Sequence, residues 1–345
     1  MLITGGAGFI GSYAAAYFTE RGYQVTVLDN LSRGRLLKRE DPNARHNWDY
    51  LASRGGIELI EGDVRDPEVV DPLAGSADVI LHAAAQTAVT TSTTDPETDF
   101  MSNALGTFRV LDAARRGGRR PTVVYCSTNK VYGENVNGVD VIEGERRYEF
   151  PEQWSAGIPE SFSIDHCEHT PYGCSKLTGD LYMQDFGHLY GLNVGIFRMS
   201  CIYGTRQFGM EDQGWVAWFV IAALSGQPIT IFGDGKQVRD VLWVEDLLRA
   251  YEAFIESGRT QEVFNMGGGP DFTLSLIELL EIIDQEAGIR PQIAYADWRP
   301  SDQKVYISDI RRAGKELAWQ PQVTPPEGVR RLIAWTKDNL HRFQS

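Results

Sequence analysis

Two observations lead from the amino-acid sequence to an α/β fold with an open, doubly wound parallel sheet. Short apolar runs alternate with helical patterns through the first half of the chain, and the first run feeds directly into a glycine-rich turn. Leu2–Thr4, Gln24–Asp29, Ile57–Gly62, Val79–Ala83 and Thr122–Ser127 read as strands, apolar enough to be covered on both faces as parallel strands are. Gly11–Arg21, Asn103–Arg116 and Lys176–Tyr190 carry helical spacing. The alternation makes βαβ units with right-handed crossovers, and so a Rossmann-type sheet.

The 345 residues allow about two domains. Residues 1–190 are assigned to the sheet domain, with returning segments at about 192–204 and 237–266 that supply the strands Asn193–Arg198 and Glu262–Met266. Residues 205–236 and 267–345 are assigned to a smaller mixed α/β domain that would bind substrate. The stretch 134–164 lacks clear periodicity and is read as an insertion able to serve as a lid.

Composition is that of a globular protein, with 42% hydrophobic and 23% charged residues. Thirty-three basic against 47 acidic side chains leave a net charge of −14, which argues against nucleic-acid or anionic-membrane partners. Any phosphate must then be held by locally placed cations. The longest apolar run, Trp215 to Leu224, falls well short of the ~18 residues of a membrane span and reads as a buried helix. No leader peptide is expected, because residues 2–4 already read as a strand. Cys126, Cys167, Cys174 and Cys201 are too few for a disulfide scaffold and have no paired spacing, as befits reduced thiols in a cytoplasm.

The glycines that matter in the N-terminal turn are Gly5, Gly8 and Gly11. Lacking β-carbons, they let the backbone turn tightly and approach a pyrophosphate at a helix N-terminus. Asp29 ends the next strand, where a carboxylate accepts hydrogen bonds from an adenosine ribose and repels a 2′-phosphate. NAD is therefore expected over NADP, with Arg33 nearby as a moderating charge. Asp63 follows another strand and is placed to reach the adenine edge or to cap the next helical turn.

Tyr172 and Lys176 stand four residues apart, on one face of a helix. The chain has only seven lysines, so a chance match at that offset is improbable. An ammonium beside the phenol is expected to lower its pKa and let it exchange a proton near neutral pH. Ser127-Thr128-Asn129-Lys130 directly follows a strand, where hydroxyls lie beside the ligand crevice of such sheets. His82 reads as a satisfied histidine at a strand end. Trp215 and Trp218 read as core residues, and the His166–His169 stretch as a loop with poor spacing for zinc. No metal is expected.

The glycine turn, the Ser-Thr…Tyr-x3-Lys set and the length together resemble the extended short-chain dehydrogenase/reductases. Within them the chain is most similar to the CDP-paratose 2-epimerase (CDP-tyvelose 2-epimerase) group. That resemblance rests on residues 127–133, 171–176, 203–208, 212–218, 235–240 and 301–303. It implies Thr128, Tyr172 and Lys176 as catalytic trio and Asn103 on the helix behind them. It implies a cofactor set of Gly5, Gly8, Phe9, Ile10, Gly11, Asp29, Asn30, Ser32, Arg33, Asp63, Val64, Ala83, Ala84 and Gln86, shared with Tyr172 and Lys176. For the substrate it implies Thr90, Asn129, Arg206, Gln207, Arg239, Arg299 and Asp302, the arginines on phosphate and Asp302 on a ribose.

The function so implied is NAD-dependent inversion of C2 of a CDP-hexose (CDP-paratose, CDP-tyvelose or a CDP-glucose-like sugar) through a transient 2-keto sugar, by a homodimer. A nucleotide-sugar 4-epimerase needs the same trio and stands as the alternative, as does a non-catalytic NAD-binding protein. A 4,6-dehydratase is disfavoured, because relatives of that kind carry Asp-Glu where this chain has Asn129 and Lys130.

Overall fold

The computed structural model describes residues 1–36, 43–299 and 301–343, which group into two compact units. The first comprises Met1–Val131, Thr170–Arg198 and Leu248–Phe264. Its sheet is built on β1 (Leu2–Thr4), β2 (Val25–Asp29), β3 (Ile57–Glu61), β4 (Val79–His82) and β5 (Thr122–Thr128). The order across the sheet is β3-β2-β1-β4-β5, then Asn193–Met199, then Glu262–Met266. Every pairing among β1 to β5 is parallel. The order reverses between β1 and β4, and that reversal is the switch point at which such sheets bind ligands.

Consecutive residues Leu28 and Val27, Ile80 and Leu81, and Val123 and Val124 are all fully buried, so these strands are covered on both faces. β3 departs from the expectation. Its residues are half-buried or exposed, because it is the sheet edge and has one strand neighbour.

Helix α1 spans Phe9–Glu20 and buries Ala14, Ala15, Ala16 and Phe18. The predicted helix at 103–116 is two pieces, a π-helical turn at Met101–Leu105 running into Gly106–Gly117. The helix expected from Lys176 begins instead at Pro171. Thr170 caps it, its Oγ1 accepting from the Gly173 N–H at 3.2 Å, and proline suits the first helical position. Tyr172 therefore lies in the first turn and Lys176 one turn further on.

The second unit comprises Tyr132–His169, Met199–Leu247 and the chain from Asn265 onward. Residues 199–204 and 237–247, expected with the sheet domain, group here. The physical reason is strand pairing: Val238–Trp243 lies against Cys201–Tyr203, Thr273–Ser275 and Val305–Tyr306. The apolar run at Trp215–Ser225 is a buried helix, packing Val216, Phe219 and Val220 with Ile231, Leu279, Ile283 and Leu332. Segment 134–164 is fastened to this unit. Tyr148 donates its phenol to Asp234 at 2.6 Å and its N–H to the Lys236 carbonyl at 2.9 Å, while Arg147 pairs with Glu278 at 3.2 Å. Among the described residues no helix is long and apolar enough to cross a membrane.

One buried ion pair ties the helix Pro171–Tyr190 to the sheet. Arg198 donates Nε to Asp180 Oδ2 at 3.0 Å and Nη2 to Oδ1 at 3.1 Å, and both side chains are shut from water. Removing one partner of such a pair strands a buried charge, at a cost of about 3–5 kcal/mol. Arg198→Ala should lower the urea midpoint accordingly, and the double change Asp180→Asn with Arg198→Met should lower it less. Equal losses would show that the geometry, rather than the stranded charge, carries the cost.

Candidate active site

In the first unit, β1 leads into a turn whose geometry excludes side chains. Gly5 has φ +72°, and a β-carbon there would lie 2.5 Å from the Ala84 nitrogen. A β-carbon on Gly11 would lie 2.2 Å from the Gly5 carbonyl oxygen. The backbone of β1, the 83–84 segment and the first turn of α1 thus meet with no room between them. Gly8 is the N-cap of α1 and supplies no side-chain cap, which leaves the helix-start N–H groups free for an anion; Phe9 and Ile10 open the helix.

Asp29 closes the other side of this turn. Its Oδ2 accepts from the Ala7 N–H at 2.9 Å and its Oδ1 from the Leu31 N–H at 2.8 Å. Each oxygen keeps a lone pair for a ribose hydroxyl. Burial pushes the Asp29 carboxyl up from its ordinary value, against those two hydrogen bonds. Asn30 accepts from the Ser32 N–H at 3.1 Å and donates to Asp63 at 2.8 Å. Arg65, which sequence reading passed over, grips Asp63 with Nε at 2.9 Å and Nη2 at 2.7 Å and holds its carboxyl down at about 2. The Asp-x-Arg spacing was the signal for it. Asp63 does not cap the following helix: Asp66 does, accepting from the Glu68 N–H at 3.0 Å. Val64 is buried, and Arg33 opens the short helix Arg33–Leu36.

At the carboxyl end of β5, Thr128 is buried, and its hydroxyl donates to Asn129 Oδ1 at 3.3 Å and accepts from the Lys130 N–H at 3.2 Å. The same hydroxyl lies beside the Tyr172 phenol and favours its ionised form. The Tyr172 N–H is anchored on Ser92 Oγ at 3.1 Å, a contact the sequence does not signal. The Lys176 ammonium lies 4.2 Å from the centroid of the Tyr125 ring. Burial dominates the electrostatics of the trio: it pushes the Tyr172 phenol up to about 12 and the Lys176 ammonium down to about 8. The expected lowering of Tyr172 by Lys176 is therefore not what this arrangement produces, because desolvation of the phenolate outweighs it.

Behind the trio lies a buried polar network. Asn103, on the π-helical turn, accepts from the Gln86 N–H at 2.8 Å and donates to the Gln86 carbonyl at 3.0 Å, Ser175 Oγ at 3.0 Å and Asp99 Oδ1 at 3.1 Å. The Gln86 amide is turned into this network, donating to the Ala88 carbonyl at 2.8 Å. His82 is structural. Thr107 gives its proton to the Asn103 carbonyl at 2.6 Å, so it accepts from His82 Nε2 at 3.0 Å, and Nδ1 accepts from Thr4 at 2.7 Å. Burial, aided by the Lys176 charge, keeps His82 neutral with a pKa near 3. Thr90 is exposed on the short helix Val89–Thr94.

In the second unit, Arg239 and Asp302 come together at 2.6 Å. Arg299 pairs with Asp212 at 2.9 Å and lies over the Phe232 ring, 3.8 Å from its centroid. Arg206 is buried with φ +59°, and Gln207 donates to the Ile202 carbonyl at 3.1 Å. Cys167 Sγ and His169 Nδ1 are 3.8 Å apart, and among the described residues no three ligating side chains gather to hold a metal.

A glycine-cradled helix start and a hydroxyl pair backed by a buried ammonium are what an enzyme needs to move a proton while a dinucleotide handles a hydride, as extended short-chain dehydrogenase/reductases do. Residues 1–267 match the NAD dependent epimerase/dehydratase family; the chain belongs to it, and its cofactor is NAD. It is 38% identical to the CDP-paratose 2-epimerase of Salmonella typhi, over 97% of this chain and 98% of that one. It is similar to the solved UDP-glucose 4-epimerase of Thermotoga maritima with UDP-glucose, with 30% identity and a TM-score of 0.80 over 98% of this chain and 99% of that one. It is also similar to the dTDP-glucose 4,6-dehydratase of Streptomyces venezuelae with NAD, with 27% identity and a TM-score of 0.80 over 98% and 97%.

The cradle makes a sharp prediction. Gly11→Ala forces a methyl into the Gly5 carbonyl, so the purified variant should carry no NAD after denaturation and chromatography of the supernatant. Recovery of wild-type amounts of dinucleotide would show that the turn is not where the pyrophosphate sits.

Proposed function

We propose that the protein is a nucleotide-sugar epimerase that inverts C2 of a CDP-hexose. The observation that carries this reading is Thr128 beside the Tyr172 phenol, with the buried Lys176 one turn further along the helix, next to Asn129 and Lys130 rather than a carboxylic acid. Bound NAD supplies the hydride acceptor, which in its reduced form is the donor for the return step. The chain supplies the proton chemistry. With the positive charges of the nicotinamide ring and Lys176 beside it, Tyr172 works as a phenolate and takes the proton of the C2 hydroxyl while C2 loses its hydride, leaving a 2-keto sugar. Thr128 donates a hydrogen bond to the reacting oxygen. The ketone turns over in the site, hydride returns to its other face, and Tyr172 gives the proton back. Atoms and electrons balance within one turnover, so no second substrate is consumed.

Elimination of water across C5 and C6 needs a base to take the C5 proton as well as an acid for the leaving hydroxyl. At the positions after Thr128 this chain offers an amide and an ammonium, which supports epimerisation over dehydration. The second reading is a nucleotide-sugar 4-epimerase, supported by the likeness to the Thermotoga enzyme. C2 is preferred on the 38% identity to the Salmonella enzyme, and the base CDP on the same ground. Arg239, Arg299 and Arg206 are assigned to the diphosphate, Asp302 to the ribose, and Thr90, Asn129 and Gln207 to the sugar nucleotide. The exposed Leu181, Tyr182, Leu189 and Tyr190 on one helix support a homodimer.

Incubation with CDP-, UDP- and dTDP-hexoses in D2O without added cofactor, followed by proton NMR, tests this reading. A CDP-hexose should invert at C2 with protium retained there. Inversion at C4 alone would establish the 4-epimerase, and a 6-deoxy product with deuterium at C5 the dehydratase. Tyr172→Phe should lower kcat by about 10²–10⁴ with NAD still bound. A fully active Tyr172→Phe enzyme would mean that another group moves the proton.

A further inference from the structure

Lys176 is buried on the helix Pro171–Tyr190, and its ammonium is in contact with an aromatic ring. Its Nζ lies over the Tyr125 ring, 4.2 Å from the centroid. Alternation along β5 turns Tyr125 and Ser127 toward that helix, where Ser127 donates to Asp180 at 2.8 Å. Tyr125 is fully buried, and burial pushes its phenol well above the ordinary value, so it presents a neutral ring rather than a phenolate. Its hydroxyl donates to the Lys176 carbonyl at 3.4 Å. One side chain therefore touches both the main chain and the ammonium of Lys176. The His82 ring is stacked on the Tyr125 ring, with centroids 5.8 Å apart and planes within 16° of each other, which limits the tilt of the phenol.

The helix makes room for this ring. Gly179, about one turn beyond Lys176, sits in the helix interior, where only proline is less favourable. A β-carbon there would lie 2.3 Å from the Tyr125 hydroxyl oxygen and 3.0 Å from its Cζ. The missing side chain lets the ring come up against the helix beside the ammonium. The other groups around Lys176 offer it less. His82, from β4, is kept neutral by burial. The Cys126 thiol, from β5, is pushed up by burial and paired with the Tyr251 hydroxyl at 3.2 Å. On the lysine's own helix, burial pushes Tyr172 up to about 12, and Asp180 is committed to a two-pronged pair with Arg198. Asp99, on the short helix Pro96–Phe100, is hydrogen-bonded to Asn103 and Gln86, and burial pushes its carboxyl up.

We propose that the face of the Tyr125 ring holds the Lys176 ammonium in its charged form inside a dry site, which makes Tyr125 a positioning residue for the reaction. The proposal rests on the reading of Lys176 as a working group of the epimerase. The negative face of an aromatic ring attracts a cation within about 6 Å of its centroid, and the attraction grows when water is excluded. Burial drives a lysine toward its neutral form, and the ring opposes that. Without the ring, Lys176 loses its proton at lower pH, and a phenolate at Tyr172 loses the cation beside it.

The direct test is NMR titration of the NAD-loaded protein labelled with 13C-lysine. Seven lysines make a tractable spectrum, and Lys176→Arg assigns the resonance. In the wild-type protein Lys176 should titrate near 8. Tyr125→Phe keeps the ring face and should hold that value. Tyr125→Leu removes the face and should lower the titration by about one unit or more, the size of a desolvated cation–ring contact. Should Tyr125→Leu fail to fold, pentafluorophenylalanine at position 125 keeps the shape of the ring and reverses the charge on its face. Compared with Tyr125→Phe, it should lower the titration by a similar amount. The alkaline limb of kcat should move to lower pH with it, whereas a packing role alone would lower kcat evenly across pH. An unchanged Lys176 titration in Tyr125→Leu or in the fluorinated protein overturns the proposal. A shifted titration in a protein that turns over no sugar supports it and counts instead against the epimerase reading.

Discussion

The constraint on which the rest of this structure depends is the burial of an ammonium at the carboxyl end of a parallel sheet. A lysine driven out of water tends to lose its proton, and here its pKa falls to about 8. Everything packed around Lys176 limits that fall without quenching the charge. The Tyr125 ring offers its face, His82 is kept neutral by burial, and Arg198 is locked onto Asp180. The buried ion pair also ties Ser127, the neighbour of Thr128, to the helix that carries Tyr172 and Lys176. Strand end and helix are thereby held to each other at the point where the two hydroxyls must meet.

How much of this was legible in the sequence follows from the range of the interactions. The glycine turn, Asp29 and the Tyr-x3-Lys pair are local patterns, and their spacing alone places them on a strand end or a helix face. The doubly wound class is equally legible, since alternation and right-handed crossovers leave few topologies. What stayed hidden was made by distant segments. Ser92 anchors Tyr172 across 80 residues, and Gln86, Asp99, Asn103 and Ser175 gather from three elements. Burial itself was also invisible, and so the sign of the shift at Tyr172 was misjudged. Spacing showed an ammonium beside a phenol, but not that both would be dry.

In the second unit of a chain with a net charge of −14, the arginines proposed for a phosphorylated ligand are held by local partners. Arg239 and Arg299 are each paired with a carboxylate, Asp302 and Asp212, and Arg299 is stacked on Phe232. A planar guanidinium held on an aromatic face is already oriented, so less freedom is lost when it takes a new acceptor. The carboxylates keep these cations from pairing at random.

The choice between epimerase and dehydratase then reduces to whether an acid–base pair is available. Both chemistries begin with the same loss of hydride and proton, so the Thr128–Tyr172–Lys176 set does not separate them. The following step does. Elimination also needs a base for the C5 proton, and the residues after Thr128 present an amide, its oxygen already accepting from Thr128, and a lysine. Neither an amide nor an ammonium can take the C5 proton, so on the proposed reading the keto sugar leaves the site by reduction.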